Sequence, residues 1–211
     1  MDARITRAFL LSAEALPPQE ILFSLSRSTP FTYSIQQTPL GRLFVLLAGD
    51  LLCGVGFVEC HSAEEMLATM VKPWGVKAQQ DAERAQPVIK QILAYNYEAL
   101  PVLMRGTAFQ MSVWQALTMT QRGETLSYQA LAERAQCPKA VRAVANAVGA
   151  NRLGYIVPCH RVIRANGQLG GFEWGAACKE RLLAAESLPL GAYEGNFSEA
   201  SVKRTKLGHT D

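Results

Sequence analysis

The sequence predicts an α+β N-terminal domain, a short antiparallel sheet with helices, followed by a mainly helical C-terminal domain with a helix-turn-helix. Three observations carry this. Strand-like stretches rich in β-branched and aromatic residues fall at residues 31–35, 42–48 and 51–58. Two capping signatures, Ser62 with Glu65 and Thr107 with Gln110, each open a helix. Beyond Thr107 the apolar residues recur at helical spacing rather than alternating.

The three strands are separated by the turn signals Thr38-Pro39-Leu40-Gly41 and Gly49-Asp50, so an antiparallel meander is expected. The helix opened by Ser62 should run to about residue 71. Pro87, suited to a first helical position, should open another with Ile89, Ile92 and Leu93 on one face. Residues 1–30 read as an N-terminal extension, 31–100 as the α+β domain and 101–188 as the helical domain. The stretch 189–211 mixes Gly, Ser, Asn and charge with few apolar residues and is expected to be disordered.

In the helical domain the first helix places Phe109, Val113 and Leu117 on its inner face. Ser127 is an N-cap for residues 128–135, Cys137-Pro138 breaks the chain, and Pro138 should begin a second helix ending near Gly149. There Val141, Val144 and Val148 share one face, while Ala140, Ala143, Ala147 and Ala150 line another. Small residues permit close helix packing, or let a helix lie in a groove too narrow for long side chains; spacing alone leaves both open.

Composition excludes several classes. The chain has 211 residues, 49% hydrophobic, enough for one core or two small ones. It has no apolar run near the ~20 residues a membrane span needs, so a soluble protein with no membrane association is expected. The first seven residues carry both charge signs, and Ser12 and Glu14 interrupt the apolar stretch that follows, which argues against a secretory signal. Five cysteines (53, 60, 137, 159 and 178) with no Cys-x-x-Cys point to reduced thiols and a cytoplasmic location. Cys60-His61 has no second pair at ligand spacing, so no metal is expected, and no phosphate-cradling loop implies a cofactor. Residues 1–100 hold 8 Lys and Arg against 10 Asp and Glu, a net of −2; residues 101–211 hold 13 against 8, a net of +5. A polyanion partner would meet the second half.

That basic half contains Pro158-Cys159-His160-Arg161. A thiol with an ordinary pKa of about 8.5 is mostly protonated at neutral pH, and a base beside it or one water away makes it a nucleophile. The commoner role of a cysteine is as a small buried hydrophobe. Here an apolar run ends in Pro158 and polar residues follow, which places Cys159 where a buried strand meets a site.

The stretches Ser127-Tyr-Gln-Ala-Leu131, Pro138-Lys-Ala-Val-Arg-Ala-Val144, Asn151, Ile156-Val-Pro-Cys-His-Arg-Val162 and Gly170-Gly171 stand in the order seen in the O6-alkylguanine-DNA alkyltransferases, the methylated-DNA–protein-cysteine methyltransferases. The chain resembles that family closely over about residues 106–186 and more weakly before. The resemblance implies a ribonuclease-H-like N-terminal domain and DNA repair by direct reversal. The alkyl group of O6-alkylguanine, with O4-alkylthymine a further candidate, passes irreversibly to Cys159 in one turnover. Glu186 would orient His160, which draws the proton of Cys159 through a water. Tyr128 matches a donor to the departing base, and Asn151 matches the residue shaping the turn before the cysteine. Arg142 matches the arginine that enters double-stranded DNA from the minor groove and fills the gap left by a flipped nucleotide, on a helix presenting Ala140, Ala143 and Val148. Lys179 is placed near the pocket entrance. The loop 162–175 covers the base pocket; Phe172 departs from a frequent tyrosine there, and Trp174 is bulkier than the glycine of some relatives, so Trp174 is expected to wall the pocket and favour small adducts. A monomer is expected. The alternative is a non-enzymatic alkylated-DNA-binding or adaptive-response regulatory protein.

Overall fold

The computed structural model describes residues 5–10, 19–21, 25–26, 28–97 and 100–187. Its sheet is larger than the meander alone. Strands β1 (Ile5–Leu10) and β2 (Gln19–Ile21), from the stretch read as an extension, pair antiparallel. β3 (Phe31–Thr38), β4 (Gly41–Ala48) and β5 (Leu51–Phe57) form the expected meander. β6 (Gln79–Gln80) and β7 (Pro101–Gly106) complete the order β2-β1-β7-β5-β4-β3-β6. β7 lies between β1 and β5, so residues 101–106, read as the start of the helical domain, belong to the sheet. β7 finds its partners β1 and β5 far away in sequence, and such pairings leave no local signal. The expectation for residues 189–211 lies outside the described residues.

β4 is buried on both faces from Leu43 to Ala48, which is why its apolar residues run continuously instead of alternating. Helix α1 (Ala63–Val71) begins at the expected capping box, with Glu65 N donating to Ser62 Oγ at 3.1 Å and Ser62 N to Glu65 Oε2 at 2.8 Å. Its Met66 and Met70 cover β5, where Gly56 leaves room: a Cβ there would lie 2.7 Å from Met70 Cε. Helix α2 (Ala82–Leu93) covers β3 and β4, and it starts at the Asp81 cap, six residues before Pro87. Asp81 Oδ1 accepts from Arg84 N at 2.9 Å, a cap that nucleates earlier than the proline suggests, and Pro87 is accommodated inside the helix.

Helix α3 (Ala108–Thr118) has its predicted Thr107 capping box and buries Val113 and Leu117, with Phe109 packed at the core's edge. After β8 (Leu126–Ser127), α4 (Tyr128–Arg134) starts at the Ser127 cap, and α5 (Val141–Gly149) packs against α3 and α4. α5 begins three residues later than Pro138 suggests because residues 137–140 close a separate turn, Ala140 N donating to Cys137 O at 2.9 Å. A one-turn 3-10 helix (Cys159–Arg161), β9 (Val162–Ile163) and α6 (Ala176–Glu186) follow. β9 pairs with β8 in parallel, setting the start of α4 beside the cysteine turn. Among the described residues no helix is long and apolar enough to cross a membrane.

Candidate active site

Pro158 has φ −80° and ψ 63°, and Cys159 N donates to Val157 O at 2.7 Å; this is an inverse γ-turn, whose φ the proline ring supplies. The chain then turns into the 3-10 helix, so Cys159 opens a helical turn and does not end a strand as the apolar run suggested. The turn is anchored from both sides. Gly154 N donates to Val55 O at 2.9 Å and Val55 N to Arg152 O at 2.8 Å, tying it to β5. Asn151, just beyond α5, donates from Nδ2 to Val157 O at 2.8 Å and to Cys159 Sγ at 3.2 Å, while its Oδ1 accepts from Leu153 N at 2.9 Å.

His160 is completely buried. Its Nε2 lies 2.8 Å from Glu186 Oε1, and Tyr155 stacks on the ring at 5.4 Å. Burial works to raise the Glu186 carboxyl, but hydrogen bonds and charge from His160 and Arg161 outweigh it and hold it at about 2. An ionised carboxylate only accepts, so Nε2 carries the proton and, in the neutral ring, Nδ1 bears the lone pair. Nδ1 is buried and meets no hydrogen-bond partner among the described residues. Burial also lowers the pKa of His160, with Glu186 opposing, which favours the neutral base. Burial pushes the Cys159 thiol up to about 11, against the pull of the Asn151 amide and the charge of Lys179.

Lys179 is not at an entrance. It is buried, donating from Nζ to Val162 O at 2.6 Å and Leu169 O at 2.5 Å, so it clasps the start of the loop after the cysteine to its middle because carbonyls are what a buried ammonium needs. Its charge acts on the sulfur from there. Tyr128 is half-buried; burial and then the charge of Cys159 raise its pKa, and its hydroxyl lies 3.7 Å from where a Cβ on Gly170 would sit. Phe172 lies over the Lys179 ammonium at 5.8 Å.

Three expectations about the substrate-facing residues need correction. Trp174 is 1% exposed and packs into the core, edge-on to Phe57 at 5.9 Å and Phe172 at 5.1 Å. Its indole occupies a slot left by two glycines: a Cβ on Gly154 would come within 2.3 Å of it, and one on Gly56 within 2.9 Å. A large amphipathic ring finds more contact there than in an open pocket. Val148 is buried with Val144 on the inner face of α5. Ala147 is buried as well, its carbonyl accepting from Trp114 Nε1 at 2.8 Å, so the alanine face splits between core and surface. The exposed face of α5 comprises Arg142, Ala143, Asn146 and Gly149, with Ala140 half-buried at its start.

Arg161, quoted in the sequence run but given no role there, is central. Its Nε donates to Glu186 Oε2 at 2.9 Å and its Nη2 to Glu186 Oε1 at 2.7 Å, its Nη1 donates to Thr120 O at 2.5 Å and Thr120 Oγ1 at 3.0 Å, and its Nη2 also reaches the Tyr95 hydroxyl. A buried arginine must find such a set. Only its place beside Cys159-His160 hinted at this.

A family model described as the DNA binding domain of 6-O-methylguanine DNA methyltransferase matches residues 108–188. The regulatory protein Ada of Salmonella typhimurium is 53% identical over 161 residues; the match takes in 74% of this chain, and the chain spans 45% of that relative's length. The methylated-DNA–protein-cysteine methyltransferase of Haemophilus influenzae is 35% identical over 171 residues, 76% of this chain and 89% of the relative. The crystal structure of Mycobacterium tuberculosis O6-methylguanine methyltransferase aligns with a TM-score of 0.63 at 32% identity, covering 74% of this chain and 92% of that one.

Proposed function

We propose that this chain, which belongs to the methylated-DNA–protein-cysteine methyltransferase family, repairs DNA by taking the alkyl group of O6-alkylguanine onto Cys159 in a single turnover. The observation that supports this most is the arrangement around one sulfur: Asn151 amide at 3.2 Å, Lys179 charge nearby, and the neighbouring His160 bound to an ionised Glu186 at 2.8 Å.

With the thiol at about 11, forming the thiolate at pH 7 costs roughly 5 kcal/mol, so the resting sulfur is protected and needs a base at the moment of attack. His160 Nδ1 is that base, reached through one water, and Glu186 stabilises the imidazolium that results. The thiolate sulfur attacks the alkyl carbon as the carbon–O6 bond breaks, and the bonding pair leaves with guanine. Tyr128 donates to the base as negative charge develops on it. The product is a thioether on Cys159, which water does not readily cleave. O6 of a stacked guanine is out of reach of a buried sulfur, so the nucleotide must be flipped. α4 and α5 act as a helix-turn-helix. The exposed face of α5, with small Ala143 and Gly149 beside Arg142, suits a minor groove only about 6 Å wide. Arg142 holds the gap in the duplex.

Incubation with duplex DNA labelled in the O6-methyl group tests the reading. One labelled methyl per chain, on Cys159, is expected, with DNA binding that weakens as salt rises. Repeated turnover, or binding without transfer, overturns it; binding without transfer is the outcome for a flag or a regulator, the second reading favoured by the name of the Salmonella relative.

A further inference from the structure

We infer that Tyr95 is a positioning residue of this site, acting on His160 through Arg161 and Glu186, so that the segment between α2 and β7 completes the proton relay. The inference rests on the reading of Cys159 as the alkyl acceptor. Tyr95 stands just past the end of α2, far from the cysteine turn in sequence, and takes φ 54°, a left-handed conformation uncommon for a bulky aromatic residue. Such a backbone persists where surrounding contacts over-determine it. They do so here. Its ring meets Tyr97 at 4.8 Å and Tyr155 at 6.1 Å, and the guanidinium groups of Arg122 and Arg161 lie over it at 5.4 Å and 5.9 Å.

The hydroxyl accepts from Arg161 Nη2, and the same nitrogen donates to Glu186 Oε1 at 2.7 Å. That oxygen is also the partner of His160 Nε2 at 2.8 Å. One carboxylate oxygen is therefore shared between the arginine and the histidine. The more firmly Arg161 is held against it, the less negative charge it offers the imidazole, and the lower the proton affinity at Nδ1. Two anchors aim the guanidinium from outside the pair: Thr120 on Nη1 and Tyr95 on Nη2. Removing the Tyr95 hydroxyl lets the fork tilt, returns charge to the His160 side and raises its proton affinity.

The charged and titratable groups facing His160 are Glu186 and Lys179 from α6, Cys159 and Arg161 from its own turn, and Tyr155 from the preceding turn. Tyr95, Tyr97 and Arg122 stand behind Arg161.

The test is Tyr95→Phe in the full chain, which keeps the ring and deletes the oxygen. His160 is one of three histidines, so its titration is readable by NMR of imidazole-labelled protein, alongside methyl transfer followed against pH. The expected result is a His160 midpoint raised by about half a pH unit. The acid limb of the transfer profile moves up equally, transfer at acid pH slows about threefold, and the melting temperature stays near wild type. Thr120→Val, which removes the opposite side-chain anchor, should give a smaller shift of the same sign and carries the test if Tyr95→Phe does not fold. Titrations that superimpose on wild type, or a loss of rate equal at every pH, overturn the inference. Absence of methyl transfer in wild type instead overturns the reading of Cys159 as acceptor, and the His160 titration then still decides the role of Tyr95.

Discussion

Two buried thiols sit in two different surroundings. Cys53, in β5, is 2% exposed and donates to Leu46 O at 3.4 Å; burial drives its pKa far above the ordinary range, with only a backbone hydrogen bond opposing. Cys159 is 5% exposed and burial raises it too, yet the Asn151 amide and the Lys179 charge pull against that rise, and His160 stands next to it. Burial alone silences a thiol. At Cys159 an amide from the end of α5 and a charge from α6 work against that silencing.

The largest effect should separate the two directly. Cys159→Ala should abolish methyl transfer while DNA binding persists, and Cys53→Ala should transfer fully at a cost near 1 kcal/mol of stability. Intact-protein mass after reaction with methylated duplex reads this; a Cys159→Ala protein that still gains a methyl breaks the comparison.

Trp174 joins the two surroundings, since its slot is lined by Gly56 of the Cys53 strand and Gly154 of the Cys159 turn. Trp174→Ala should cost about 3–5 kcal/mol in denaturant unfolding, as other large-to-small core changes do. It should give no selective gain with free O6-benzylguanine. Selective gain at unchanged stability would put the indole in the pocket after all.

Acid should act on the Cys159 surroundings and not on those of Cys53, which hold no shifted carboxylate or imidazole against the sulfur. Glu186 is held at about 2 in the fold against an ordinary 4.5, so its contribution is present above about pH 4.5 and is lost as pH falls toward 2, roughly 3 kcal/mol in all. His160, a base with a lowered folded pKa, binds its proton more readily unfolded, so it too loses stability as pH falls, starting near its ordinary 6.5. Glu186→Gln should flatten the lower part of the stability–pH curve; an unchanged curve would show that other carboxylates govern acid unfolding.

The smallest effect should come from Lys179→Met. It removes the charge favouring the thiolate and the clasp on the loop, and should slow transfer about tenfold with no change at Cys53. A rate equal to wild type would mean that the ammonium is a tether without electrostatic influence.

Much of this is legible in the amino-acid sequence. The Ser62 and Thr107 capping boxes, the turns at residues 38–41 and 49–50, and the adjacency of Cys159 and His160 all act over one to four residues, so spacing alone encodes them. Pro87 and Pro138 misled because a proline permits a helix start without requiring one, and the neighbouring Asp81 cap and the 137–140 turn decided the matter.

The sequence by itself therefore determined the α+β and helical elements, the candidate nucleophile and its neighbouring imidazole. Only the tertiary structure decided which groups tune them. Glu186 meets Arg161 across 25 residues, Arg161 meets Tyr95 across 66, and Arg181 donates to Leu40 O across 141. Trp174 could be read as a pocket wall until Gly56 and Gly154 were seen to leave its slot, and Ala147 shared a helical face with Ala143 until Trp114 covered it. Local hydrogen bonds are set by spacing along the chain, whereas a buried charge or a large ring goes where distant segments together offer partners and volume, and that sum is made only when the chain has folded.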